Sequence, residues 1–80
     1  MNMLVALQLA SDSGIGSDGW VTAREVWAHH EEAGLPSHLG YDSMDPVQRE
    51  LNKLVEQGAA QRKPFSSVAV GKYLYKPLAV

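Results

Sequence analysis

Eighty residues carry 9 acidic and 7 basic side chains, a net charge of -2, 45% hydrophobic residues and no cysteine. That length excludes a doubly wound nucleotide-binding fold and predicts a single domain, near the lower limit for a core held without disulfides or metal. The absence of cysteine excludes a disulfide framework and a thiolate zinc site, and it fits a reducing, cytoplasmic compartment. Charge is unevenly placed. From Met1 to Gly40 the base Arg24 stands against Asp12, Asp18, Glu25, Glu31 and Glu32; from Pro46 onward Arg49, Lys53, Arg62, Lys63, Lys72 and Lys76 stand against Glu50 and Glu56.

Near residues 2 to 12, Met3, Leu4, Leu7 and Ala10 recur at helical spacing, and Val5 and Leu9 widen the stripe. This predicts a helix buried on most sides, in preference to a strand over "MLVAL". The run has no basic n-region, contains Gln8 and is too short to span a bilayer, so it predicts neither a secretion signal nor a membrane segment.

The next stretch, "SGIGSDGW", matches G-x-G-x-x-G through Gly14, Gly16 and Gly19. A phosphate-binding role would need a strand before the glycines and free helix N–H groups after them. Instead, Thr22 and Glu25 form a T-x-x-E capping box that uses the first N–H groups of a helix starting at Ala23, with Val21 and Val26 as a hydrophobic staple. The glycines read as a joint between helices. On this second helix Ala23, Val26, Trp27, His30 and Ala33 share the inner face, Arg24, Glu25, Ala28, His29 and Glu32 point outward, and Gly34 supplies a left-handed cap.

"LPSHLGYDS" is turn-rich and has room for one irregular helical turn. A third helix is predicted from about Pro46 to Gln57, with Asp45 or, one turn earlier, Ser43 as its cap. It buries Val47, Leu51, Leu54 and Val55 and ends at Gly58. Beyond it the period becomes strand-like: "AAQRKPF" and "GKYLYKP" flank "SSVAV" and read as a β-hairpin, with Pro64 confining its first strand to an edge and Pro77 ending the second.

The order of helix, short strand at Trp20, helix, helix and hairpin, together with "WVTAREVWA" and "DPVQRELNKLVEQGAAQRK", resembles the winged helix-turn-helix family of DNA-binding domains. Val47, Leu51, Leu54 and Gly58 match the apolar, leucine, leucine and glycine pattern of its third helix. The resemblance implies an α+β fold of three helices plus a small antiparallel sheet ending in a hairpin wing. It implies double-stranded DNA as partner and a role in transcription regulation, as a repressor-like or viral accessory factor. Two features depart from the family: the Gly34 to Asp45 connection exceeds the usual short turn, and Ala59 and Ala60 stand where larger apolar residues are common.

The residues themselves support such contacts. The outward side of the third helix presents Asp45, Arg49, Asn52, Lys53 and Glu56, with Gln48 at its edge. Gln48, Arg49 and Asn52 have the chemistry of major-groove base readers. Lys53, Arg62, Lys63 and Lys72 suit phosphate contacts. A homodimer would add a second half-site, although no heptad segment is present to mediate one. The competing reading of the same charges is a solvated ladder, Asp45 with Arg49 and Glu56 with Lys53. The competing function is a protein-interaction module on the same fold, using the wing tyrosines or the apolar C-terminus.

Other chemistry is less well supported. His29 and His30 are adjacent, diverge on a helix and do not match H-E-x-x-H, so no metal site is expected. Trp20, Trp27, Tyr41, Phe65, Tyr73 and Tyr75 suit core and sheet packing better than a single-strand stacking platform. No nucleophile, base and acid set is readable, and neither an enzyme activity, a cofactor nor a small-molecule ligand is predicted.

Overall fold

The computed structural model describes residues 2–13, 17–64 and 73–78. Three α-helices, α1 (Met3–Asp12), α2 (Ala23–Trp27) and α3 (Asp45–Glu56), precede two strands, β1 (Ala60–Pro64) and β2 (Tyr73–Pro77). The strands pair antiparallel, with Arg62 opposite Tyr75 and Lys63 opposite Leu74. Val21 adds a bridge on the far edge of β2, its N–H and carbonyl both bonded to Tyr75 at 2.9 and 2.7 Å. This is an α+β fold whose layout is consistent with a winged helix.

α1 forms where the apolar spacing placed it. Asn2 caps it by accepting from the Val5 N–H, and Met3, Ala6, Leu7 and Ala10 are buried. A helix therefore precedes the glycine-rich joint, where a phosphate loop would need a strand. Gly14 and Gly16 lie outside the described residues. Gly19 has φ +84°, a conformation in which any side chain is strained, and its carbonyl accepts from Ser11 Oγ at 2.8 Å. Both bonds of the capping box are present: Thr22 N–H to Glu25 at 2.9 Å and Glu25 N–H to Thr22 Oγ1 at 3.2 Å. The first donors of α2 are thus satisfied within the protein.

Regular α-helix ends at Trp27, well before the expected end near Ala33, and turns carry the chain to Gly34 at φ +72°. There the backbone changes to i+3 bonds: the His29 N–H meets the Val26 carbonyl at 3.1 Å, and the Trp27 carbonyl accepts both the backbone N–H of His30 and its ring Nδ1–H, at 3.0 and 2.8 Å. Those i+3 bonds tighten the turn and displace the i+4 bond of an α-helix. The His30 ring stacks on Trp27 with centroids 4.2 Å apart and planes 10° from parallel. His29, expected to point outward, is largely covered: its side chain keeps 18% exposure, and Nδ1 lies 3.5 Å from Glu32 without hydrogen-bond geometry.

The long connection contains a 3-10 turn at Ser37–Gly40. Gly40 packs against the indole so closely that a Cβ there would lie 2.5 Å from Trp27 Cε2. α3 starts at Asp45, one residue earlier than expected, with Pro46 in its first turn; Ser43 Oγ accepts from the Asp45 N–H at 3.3 Å, so the serine is the side-chain partner at this end. Val47 and Leu51 are fully buried and Leu54 and Val55 pack partly against the core. Ala60, buried beneath the ribbon, completes the core with Val21, Val26, Leu35 and Tyr75.

Two outcomes test this packing. Thr22→Ala should lower stability by about 1 kcal/mol in urea unfolding, because Glu25 loses its reciprocal cap. Gly40→Ala should cost about 1–3 kcal/mol through overpacking against the indole, with a change in tryptophan emission; unchanged stability would contradict the close approach.

Candidate nucleic-acid interface

With Val47 and Leu51 turned inward, helical periodicity turns Arg49, Lys53 and Glu56 to solvent, and Gln48 and Asn52 sit half-buried at the margin. Asp45, Gln48, Arg49 and Asn52 line an open depression of about 300 Å³ along α3. A larger cleft of about 600 Å³ lies between the starts of α2 and α3, lined by Thr22, Arg24, Asp42, Ser43 and Tyr73 among others. The two hollows share Asp45 and Gln48, so α3 is flanked by concave surface.

The solvated charge ladder does not form as expected. Lys53 Nζ pairs with Glu50 at 3.3 Å, not with Glu56, and the pair is exposed, which limits it to about 0.2–1 kcal/mol. Among the described residues Arg49 makes no ion pair, with Asp45 or any other acid.

A polar relay joins this helix to the ribbon. Tyr75 is fully buried, and its hydroxyl donates to Asn52 Oδ1 at 2.7 Å. Arg62 Nη1 donates to the same oxygen at 3.0 Å, and its guanidinium lies 4.6 Å from the centre of the Tyr73 ring. The Gln48 side chain hydrogen-bonds Tyr75. Burial pushes the Tyr75 phenol above its ordinary value of 10.0, while the Arg62 charge and the Gln48 bond act against that rise.

The expected site residues therefore divide. Gln48, Arg49, Asn52, Lys53 and Arg62 come together around α3, with Arg62 reaching across from β1. Lys63 does not join them. Directly paired residues of an antiparallel ribbon share a face, and neighbours along a strand alternate. Arg62 thus lies with Tyr75 on the inner face, whereas Lys63 lies with Leu74 on the outer one. There Lys63 Nζ sits 4.5 Å and Lys76 Nζ 5.9 Å from the centre of the Trp20 ring. Lys72 lies outside the described residues.

Sequence reasoning did not identify the Tyr75 hydroxyl as the link between helix and ribbon, nor the Lys76 contact with Trp20. The alternation of Tyr73 and Tyr75 was the available signal for an inward tyrosine; its partner, 23 residues away, has no local signature. Among the described residues no three His, Asp or Glu side chains converge on a metal-sized site, and no helix is long and apolar enough to cross a membrane. Comparison with protein-family models, curated proteins and solved structures finds no match to this chain.

The relay has a pH signature. A phenol whose folded pKa exceeds its unfolded value contributes stability that is complete below about pH 10 and is lost as pH rises through the folded value. Tyr75→Phe should cost about 1 kcal/mol at pH 8, and the gap to the parent protein should narrow as pH rises above about 10 in paired urea titrations. A constant gap would place the hydroxyl outside the buried relay.

Proposed function

We propose that this protein binds double-stranded DNA in a sequence-dependent manner, as a small winged-helix transcription regulator of repressor-like or viral accessory type. In this reading α3 lies in the major groove. The observation that carries it is the outward side of α3. There an exposed Arg49 without an ion pair among the described residues stands beside Gln48, Asn52 and Lys53, and Arg62 is held next to them from the wing.

Arg49 and Lys53 are like charges at i, i+4, a mutual repulsion that phosphate or guanine acceptors relieve. Gln48, Arg49 and Asn52 serve as base readers, while Lys53, Arg62 and Lys72 fix register on the backbone. Lys63, on the opposite face of the ribbon against Trp20, is the phosphate contact that the geometry supports least. A cytoplasmic location follows from this role where the DNA shares that compartment. Pairing of two copies on adjacent half-sites would compensate for the small footprint of one unit.

A protein-interaction module is the second reading. It is favoured by Tyr41, 84% exposed, by Leu78, 40% exposed, and by the net charge of -2. Fluorescence anisotropy with random duplex DNA at about 50 and about 200 mM salt separates the two. DNA binding through roughly three phosphate contacts predicts about a 40-fold loss of affinity over that range. Arg49→Glu with Lys53→Glu should abolish binding while the circular dichroism spectrum is retained, and Lys63→Ala should weaken binding less than Lys53→Ala. Absence of binding at the lower salt would reject the DNA reading in favour of the interaction module.

A further inference from the structure

The relay between α3 and the ribbon assigns a chemical polarity to Asn52, and this inference rests on the DNA-binding reading above. Arg carries only hydrogen-bond donors, so the Asn52 atom facing Arg62 must be the acceptor Oδ1, which fixes the orientation of the amide. Tyr75 meets that same oxygen at 2.7 Å and therefore donates to it. A carbonyl oxygen has two lone pairs, and both are now occupied. Nδ2 is the polar atom of Asn52 that no described residue meets, and Asn52 lines the depression on the outward side of α3.

From this occupancy we infer that Asn52 reads DNA as a donor only, selecting a keto base, guanine or thymine, at the position it contacts. An asparagine with both amide atoms free would instead take adenine through N6 and N7 together. That pairing requires Oδ1 to accept from the adenine amino group, and Oδ1 is already held by Tyr75 and Arg62. Guanine offers O6 and N7, both acceptors, and thymine offers O4; cytosine turns only an amino group toward the Asn52 amine, donor against donor, and adenine sets its amino donor beside N7, so it accepts at most one bond from Nδ2 and opposes it with N6. Tyr75 and Arg62 thus act on specificity through Asn52, as positioning residues. The ribbon sets which base the helix prefers without Tyr75 touching DNA.

The isosteric replacement Asn52→Asp separates polarity from structure. Aspartate keeps an oxygen for Tyr75 and Arg62, so the clasp is retained, but the outward amine becomes an acceptor. Sequences would be selected from a randomised duplex pool at about 50 mM salt with the full chain and with Asn52→Ala and Asn52→Asp, each checked for its fold by circular dichroism. One position should lose its preference in Asn52→Ala. There the parent protein should favour a keto over an amino base on the same strand by roughly 10-fold, and Asn52→Asp should reverse that preference toward cytosine or adenine. Tyr75→Phe combined with Arg62→Ala, which frees Oδ1, should admit adenine at the same position. Adenine preference in the parent protein, no reversal in Asn52→Asp, or an enriched motif in which no position responds to Asn52 would each overturn the assignment and leave DNA binding intact. Failure to enrich any sequence, together with no duplex binding at low salt, would reject the DNA-binding reading itself.

Discussion

The structure turns on the position of Tyr75. Its backbone lies between Arg62 of β1 and Val21, its ring is wholly buried, and its hydroxyl crosses to Asn52 on α3. One residue thereby ties together the ribbon, the Val21 bridge preceding α2, and the third helix. A phenol is suited to this place because its apolar body fills the core while its polar tip finds a partner at the core's edge. With the small Ala60 as the inward residue at the start of β1, the buried tyrosine ring supplies bulk on that face of the ribbon.

That constraint also governs how the surface is charged. Because Tyr75 faces inward, its cross-strand partner Arg62 is carried to the same side and meets Asn52, and the next residue, Lys63, is carried to the other side. The basic character of the C-terminal half is therefore not one continuous field. Part of it gathers at α3, and part, Lys63 and Lys76, lies over Trp20, where cation–π attraction holds two like charges near one ring.

The sequence was most informative where the governing interactions are short in range. The capping box, the burial of Val47 and Leu51, the end of the third helix before Gly58 and the antiparallel pairing of the two strands all depend on residues a few positions apart or on one period, and these appear as read, whereas Gly34 takes its left-handed conformation without capping α2. The end of α2 was not legible, because it lies where the backbone changes to i+3 bonds at His29 and His30, the second joined by the His30 imidazole. His29 was misplaced for the same reason: a face drawn for an α-helix does not apply once the chain leaves that helix. At the candidate site, residue types could be named from the α3 period. The division of Arg62 from Lys63 needed the ribbon's register, and the role of Tyr75 needed a pairing 23 residues apart.

The outer edge of β1 carries no neighbouring strand among the described residues. An open edge of backbone N–H and C=O groups is a template on which a second polypeptide can add and start aggregation. Here the edge is five residues long and spells Ala60, Gln61, Arg62, Lys63 and Pro64. The proline lacks an N–H to donate, and the two cations repel an identical strand approaching in register. The same short peptide that gives the ribbon its charge thus guards its open flank.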